Sequence, residues 1–359
     1  MAFASLLLAA GSLADRYGRK RMLLIGLAIF TAASFACGAA TSITMLNAAR
    51  AVQGVGAALQ LSAALATLSH AFRGPARARA FAFWGSVIGI AISLGPVVGG
   101  FLTQQFGWEW AFYVNLPVGM VIFALALYAV EESSDPAARR IDLAGLLSFS
   151  TSLFLITLAL ISANHAGWGS PSVRLELAAA ALLFLVFLLA QIRQAHPMVD
   201  LRVFRNPTYV GACLAGLAYA ASMLTMLNYL PLYLQSGLGY GSQAAGLLML
   251  PMALPLFVVP RLVAVHLTHR LTGRALLTIG LALVGAGMLW LAFAVPAFDY
   301  PALLGGMLLA GTGAGILNGE TAKVSMSAIP PERAGMGSGI GGTVRFTGIV
   351  VGFAALGAI

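Results

Sequence analysis

The chain has 359 residues, 60% of them hydrophobic and only 9% charged, with a mean hydropathy of +0.92. Soluble domains carry roughly 25% charged residues, so a water-soluble core is excluded and lipid must solvate most of the chain. The net charge of +9 would suit a nucleic acid, but the positive charges fall in short gaps between apolar runs and not on one polar face, which excludes that partner.

A helix needs about 20 apolar residues to cross a hydrocarbon core of about 30 Å. Apolar segments are predicted at 1–11, 22–40, 43–70, 80–102, 110–130, 143–163, 175–192, 208–234, 244–267, 275–295, 301–325 and 336–358. Eleven of these twelve are long enough to cross. The first, at about eleven residues, makes some 16 Å of helix, about half a crossing. Its residues MAFASLLLAAG lack the basic start and cleavage site of a signal peptide. Cys37 and Cys213 lie inside apolar runs and give neither a disulfide framework nor a metal site.

Lys and Arg fix the orientation. Alternate gaps hold Arg16, Arg19, Lys20 and Arg21; Arg73, Arg77 and Arg79; Arg139 and Arg140; Arg193, Arg202 and Arg205; Arg270 and Arg274; and Lys323 and Arg333. The opposite gaps hold Arg174 alone. The first set is therefore cytoplasmic, and the alternation also checks the segment count. No gap is long enough for an extramembrane domain.

The first inner gap reads Gly11-Ser12-Leu13-Ala14-Asp15-Arg16-Tyr17-Gly18-Arg19-Lys20-Arg21. A plain cytoplasmic loop needs basic residues but not this glycine–acid–glycine spacing. The run resembles the G-x-L-A-D-R-x-G-R-K signature of the major facilitator superfamily. Gly11 is expected to let helices approach, and Asp15 to cap a helix N-terminus and pair with a nearby Arg. Next comes Arg50-Ala51-Val52-Gln53-Gly54-Val55-Gly56-Ala57-Ala58, similar to the family's R-x-x-Q-G-x-G-A-A run. A guanidinium inside the membrane must face a partner or a cavity. The resemblance implies a role for Arg50 in proton coupling; the alternative is a structural Arg held by backbone carbonyls.

The fourth segment ends Ala91-Ile92-Ser93-Leu94-Gly95-Pro96-Val97-Val98-Gly99-Gly100, which resembles the family's antiporter signature G-x-x-x-G-P-x-x-G-G, with Ala91 in place of the first Gly. Proline among glycines gives a bendable helix that packs closely on a neighbour. The resemblance implies proton-driven export, with Gly95, Pro96, Gly99 and Gly100 at the interface between helix bundles. Trp110-Ala111-Phe112-Tyr113-Val114-Asn115-Leu116-Pro117-Val118-Gly119 looks like the W-x-F-Y-I-N-L-P-I-G run of the fourteen-span drug/proton antiporter branch. A degenerate second copy of the first motif is read at 267–274, with His269 where an acid is expected.

Against the family's layout the motifs arrive one span early, because the basic loop follows the first segment here and not the second. Segments six and seven then resemble the pair inserted between the halves of fourteen-span members. The resemblance implies an all-α polytopic fold of the major facilitator type, with two pseudo-symmetric bundles. Residues 1–130 form an N-terminal bundle expected to lack its first span. Residues 131–207 form a linker with two extra spans, and 208–359 a C-terminal bundle expected to lack its last.

Of eleven acids, only Glu320 falls within an apolar segment away from its outer end, Glu176 standing at the outer edge of its own. A buried carboxylate can cycle through protonation, which makes Glu320 the candidate proton carrier. The alternative is an ion pair with Lys323 or with Arg345 of the next helix. Arg345 is mid-span and either balances Glu320 or faces the cavity, while Arg261 is expected to snorkel to the inner face. Asn115, Tyr219, Met223, Asn228 and Arg345 are expected to line a substrate cavity, although plain packing explains most of them equally well. The reading is of a monomeric, multi-pass carrier in the cell membrane, that of a bacterium's inner membrane, and not an enzyme. It would export amphipathic or cationic small molecules by alternating access, with the proton gradient as its energy source and no cofactor or metal. Two alternatives stand beside it: an exporter of one metabolite or self-made antibiotic, and a truncated fragment that transports nothing.

Overall fold

The computed structural model describes residues 2–134, 142–194, 199–268, 270–329 and 334–357, and among them there is no strand. Arg139, Arg140, His269 and Arg333 lie outside the described residues. The helices are α1 (Ala2–Tyr17), α2 (Arg19–Gly38), α3 (Ile43–Ala71), α4 (Gly74–Phe106), α5 (Trp110–Tyr113), α6 (Asn115–Ala129), α7 (Leu143–Ala166) and α8 (Pro171–Arg193). They continue with α9 (Pro207–Tyr219), α10 (Thr225–Ser236), α11 (Ser242–Leu248), α12 (Leu250–Leu262), α13 (Gly273–Ala294), α14 (Tyr300–Ser327) and α15 (Ala334–Gly357). A π-turn at Ala220–Leu224 joins α9 to α10, and a second at Val263–Leu267 extends α12.

Among the described residues eleven stretches are long and apolar enough to cross a membrane, and α1, at 16 residues, is not one of them. The predicted segments are therefore borne out. Two boundaries differ most. The helix α4 starts at Gly74 and not near residue 80, so Arg77 and Arg79 belong to its first turns and the inner loop shrinks to Phe72 and Arg73. Pro75 in that first turn has its φ already set for a helix and lacks only an N–H that would go unbonded there. The helix α1 runs to Tyr17, which makes most of the first motif helical and leaves Gly18 as the whole connection to α2.

Other ends follow local chemistry. Ser42, Ser170, Asn206 and Thr272 each accept a backbone N–H of the first turn they precede. Gly107 (φ 99°) and Gly167 (φ 80°) stop α4 and α7.

In lipid no hydrophobic drive brings helices together, so association rests on close backbone approach and interhelical hydrogen bonds. The pair α2 and α3 meets at Gly26 and Gly56, where a Cβ on either would run into the other's carbonyl at 2.8–2.9 Å. Between α13 and α14 a Cβ at Gly280, Gly306 or Gly313 would likewise stand close to a carbonyl of the facing helix, and one at Gly287 would meet the Ala310 backbone. The helices α1, α2, α3, α5 and α6 pack together, and α9 and α12 to α15 form a second group, in whose core Tyr219, Met223, Met252 and Met307 are almost fully buried. The linker pair α7 and α8 packs on itself, with Ser152 Oγ donating to the Ala180 carbonyl at 2.8 Å, and α7 also touches α1 and α15.

Two antiparallel seams join the groups. Phe3 of α1 meets Phe346 of α15 edge-on at 4.3 Å, and Leu7 lies against Gly342 four residues further along each helix. The second seam is α4 on α11 and α12. A Cβ at Gly100 would collide with the Ser242 carbonyl, one at Gly246 with the Pro96 carbonyl, and one at Gly89 would stand 3.1 Å from the Leu256 carbonyl. The main partners of α4 are thus α11 and α12 rather than the helices before it.

Candidate coupling and latch sites

The first site centres on Gly18, in the first of the basic gaps. Its φ of 105° and ψ of 129° suit glycine alone, and a Cβ there would also stand 2.6 Å from a Glu132 carboxylate oxygen. Across this break Arg19 gives two hydrogen bonds to one oxygen of Asp15, at 2.8 and 3.0 Å. Arg16 lies over the ring of Tyr17 at 5.4 Å and forms no ion pair among the described residues. A helix start normally draws a side-chain cap from the residue before it, which Gly18 cannot supply. Glu132, beyond the end of α6, supplies one instead by accepting the Lys20 and Arg21 backbone N–H groups at 3.1 and 3.2 Å. The same segment takes the Lys20 ammonium on the Leu127 carbonyl at 2.7 Å and the Arg19 N–H on the Ser133 carbonyl at 2.9 Å. The sequence marks Glu132 only as an inner-loop acid. Gly11, expected to permit a close approach, has nothing within 4 Å of where a Cβ would stand.

Gly18→Ala adds both backbone strain and a clash, and is expected to destabilise the fold by about 1–3 kcal/mol. Thermal unfolding in detergent would measure it, and an unchanged midpoint would contradict this account of the glycine.

The second site surrounds Arg50, one to two turns inside the outer end of α3. Its Nη1 donates to Gln53 Oε1 at 2.6 Å, and its guanidinium lies 5.6 Å from the centre of the Phe112 ring. Gln53 Nε2 donates to Ser34 Oγ at 2.9 Å, Asn115 Nδ2 donates to the same oxygen at 3.0 Å, and Ser34 Oγ donates to the Phe112 carbonyl at 3.1 Å. Cys37 Sγ approaches Gln53 Oε1 at 3.9 Å. Ser34, Cys37 and Gln53 are buried, while Arg50 itself is exposed. Among the described residues no acid pairs with Arg50. Its partners are a side-chain amide and a ring, not the backbone carbonyls of the structural alternative.

The third site is Glu320, whose side chain is 7% exposed. One oxygen takes the Lys323 ammonium at 3.2 Å, and the other is buried with no hydrogen-bond partner. Arg345 makes no ion pair with it; its guanidinium lies 5.5 Å from the Tyr219 ring centre. Ile316, one turn before Glu320, packs with Val263 and Leu276, so this face of α14 looks between α12 and α13.

The expected cavity lining is corrected in part. Tyr219 and Met223 are almost fully buried in the core of the second helix group, and Asn115 belongs to the Arg50 cluster. Asn228 is exposed and donates to the Leu224 carbonyl of its own helix, and Arg345 is half-buried. In the glycine–proline string, Pro96 and Gly100 stand at the seam, but Gly95 and Gly99 have nothing within 4 Å of a Cβ position. Arg261 stacks on Phe257 of its own helix at 4.1 Å.

Eleven apolar crossings among the described residues, closely packed helix seams and charged groups held among the helices define a polytopic helical membrane protein. The Major Facilitator Superfamily family model matches residues 1–353, and the chain belongs to that family. It is 37% identical over 360 residues to the multidrug resistance protein Stp of Mycobacterium tuberculosis, covering 100% of this chain and 67% of Stp. It is 35% identical to the cephamycin export protein CmcT of Amycolatopsis lactamdurans, covering 99% of this chain and 74% of CmcT. It is 32% identical to a methylenomycin A resistance protein of Streptomyces coelicolor, covering 100% of this chain and 75% of that one. Among solved structures, a peptide transporter POT aligns at a TM-score of 0.69 with 16% identity, over 99% of this chain and 78% of that one. The human organic anion transporter MFSD10 aligns at 0.68 with 16% identity, over 99% and 75%.

Proposed function

We propose that the protein exports amphipathic or cationic small molecules across a bacterial cell membrane in exchange for protons, by alternating access. The observation that carries this reading is the seat of the glycine–proline string, whose Pro96 and Gly100 lie backbone to backbone against α11. A seam of that kind, built on small residues, lets two helix groups rock without unpacking. Residues 1–130 and 208–359 act as the two bundles, with 131–207 as a linker bringing two further spans. The Asp15–Arg19 pair and the Glu132 cap latch the cytoplasmic face. The register of the first seam, continued along both helices, carries Asp15 to the height of Ala334, where the positive end of α15 would attract its carboxylate.

Glu320 is the proton carrier in this reading. Its support is the buried oxygen without a partner, which protonation would relieve. The Lys323 contact holds the other oxygen and supports the ion-pair alternative. Glu320→Gln is expected to abolish substrate-driven proton movement while ethidium binding persists, and full exchange in that variant would reduce Glu320 to structure. In proteoliposomes, an imposed proton gradient should drive ethidium uptake, and uptake indifferent to an uncoupler would overturn the exchange reading.

A narrower reading, export of one antibiotic, is favoured by the names of relatives such as the cephamycin export protein. A resistance profile against many unrelated compounds separates the two: protection against a single compound supports the narrow one.

A further inference from the structure

The W-A-F-Y-V-N-L-P run at the start of α5 and α6 finds no use in the transport reading above, yet three of its groups join the Arg50–Gln53–Ser34 cluster, one at Arg50 and two at Ser34. The Phe112 ring lies beside the guanidinium, the Phe112 carbonyl accepts from Ser34, and the Asn115 amide donates to Ser34. The directions of the bonds from Arg50 through Gln53 to Ser34 are forced. Arg can only donate, so Gln53 must turn its oxygen to Arg50 and its amide nitrogen to Ser34. Ser34 Oγ then accepts twice, from Gln53 and Asn115, and its one proton goes to the Phe112 carbonyl. The hydroxyl is saturated, and so is Gln53 Oε1, which takes both Arg50 and the Cys37 thiol. Donation thus runs one way, from Arg50 through Gln53 and Ser34 to Phe112, and bonds in such a chain polarise one another. Ser34 and Gln53 are buried, at 0% and 3% exposure, so water cannot replace a missing partner.

We propose that Ser34 is a positioning residue for Arg50. It sets the Gln53 amide, and so ties the guanidinium to the α5–α6 turn on the outer side. The functional consequence rests on the exchange reading above; the positioning itself does not. When the α5–α6 turn shifts, Arg50 shifts with it, which gives the outer face a mechanical hold on the coupling arginine. Asn115 and Phe112 are the contacts through which that hold acts.

The test uses Ser34→Ala, Ser34→Thr and an Arg50→Lys background. Two readouts are taken from the protein in lipid nanodiscs and vesicles: the arginine side-chain NMR resonance of Arg50, assigned by its loss in Arg50→Lys, and ethidium-driven proton release as a function of pH. Ser34→Ala is expected to shift and broaden the Arg50 resonance. It should also lower kcat about tenfold with KM nearly unchanged, the size expected when a placed group is let loose by a fraction of an ångström. Ser34→Thr keeps the hydroxyl and should restore both. In the Arg50→Lys background Ser34→Ala should add no further loss, because residues acting through one another are not additive. An Arg50 resonance unmoved by Ser34→Ala overturns the proposal, as does an equal loss in both backgrounds. If the unaltered protein releases no protons with ethidium, the exchange reading fails, and the resonance alone decides whether Ser34 positions Arg50.

Discussion

Arg50→Ala is expected to lower proton-coupled transport about a hundredfold, near the upper end of a coupling free energy of about 1–3 kcal/mol. The guanidinium is the head of a one-way hydrogen-bond chain, and its removal leaves the buried Gln53 oxygen with only the weak Cys37 donor. No described acid pairs with Arg50, so the loss is not the breaking of an ion pair and no second charge is stranded. Folding should survive for that reason, with a penalty near that of one poorly satisfied polar group, about 1–3 kcal/mol. Arg50→Lys keeps the charge but not the geometry of the guanidinium, and should fall between the two. Initial rates of ethidium uptake under a fixed proton gradient measure this. Near-normal rates in Arg50→Ala would remove Arg50 from the coupling machinery.

Gly100→Ala should cut transport at least tenfold, because even a methyl group at this position meets the Ser242 carbonyl. Backbone against backbone cannot yield as a flexible side chain can, so α4 and α11 must move apart along the seam, and over-packing of this kind costs typically 1–3 kcal/mol. The matching control is Gly95→Ala, five residues earlier on the same helix, where a Cβ meets nothing within 4 Å. It should retain most of the activity. The pair of variants is measured in the same uptake assay, with membrane abundance of each checked by immunoblot. Equal behaviour of the two would contradict the assignment of Gly100 to the seam.

The sequence told most about the helices and least about their partners. Spans are legible because lipid demands about 20 apolar residues in a row, and the charge alternation fixed their direction. Arg77 and Arg79 suit a loop by charge and put the start of α4 near residue 80, whereas Pro75 in the first turn suits the helix start at Gly74. Gly18 was legible as part of a motif, and its positive φ explains why glycine is needed there. Gly11, Gly95 and Gly99 carry the same signal, yet a Cβ at any of them would meet nothing within 4 Å, because spacing shows that a residue is small and not what lies opposite it. Gln53 could have been suspected from its place three residues after Arg50, on the same helix face. Ser34 and Glu132 could not: each reaches its partner from another helix or loop, 19 and 112 residues away in the chain. Tyr219 and Met223 were read toward a cavity because polar and soft residues suit one, but both fill the helix core instead.

The exchange of substrate for protons is tested most directly by adding ethidium to everted membrane vesicles that carry the protein and have been energised to an acid interior. The release of protons is followed with a pH-quenched acridine dye. Ethidium should restore the dye's fluorescence in proportion to the dose, and vesicles carrying Arg50→Ala should stay quenched. No proton release from the unaltered protein, with ethidium and with other lipophilic cations alike, would contradict the account.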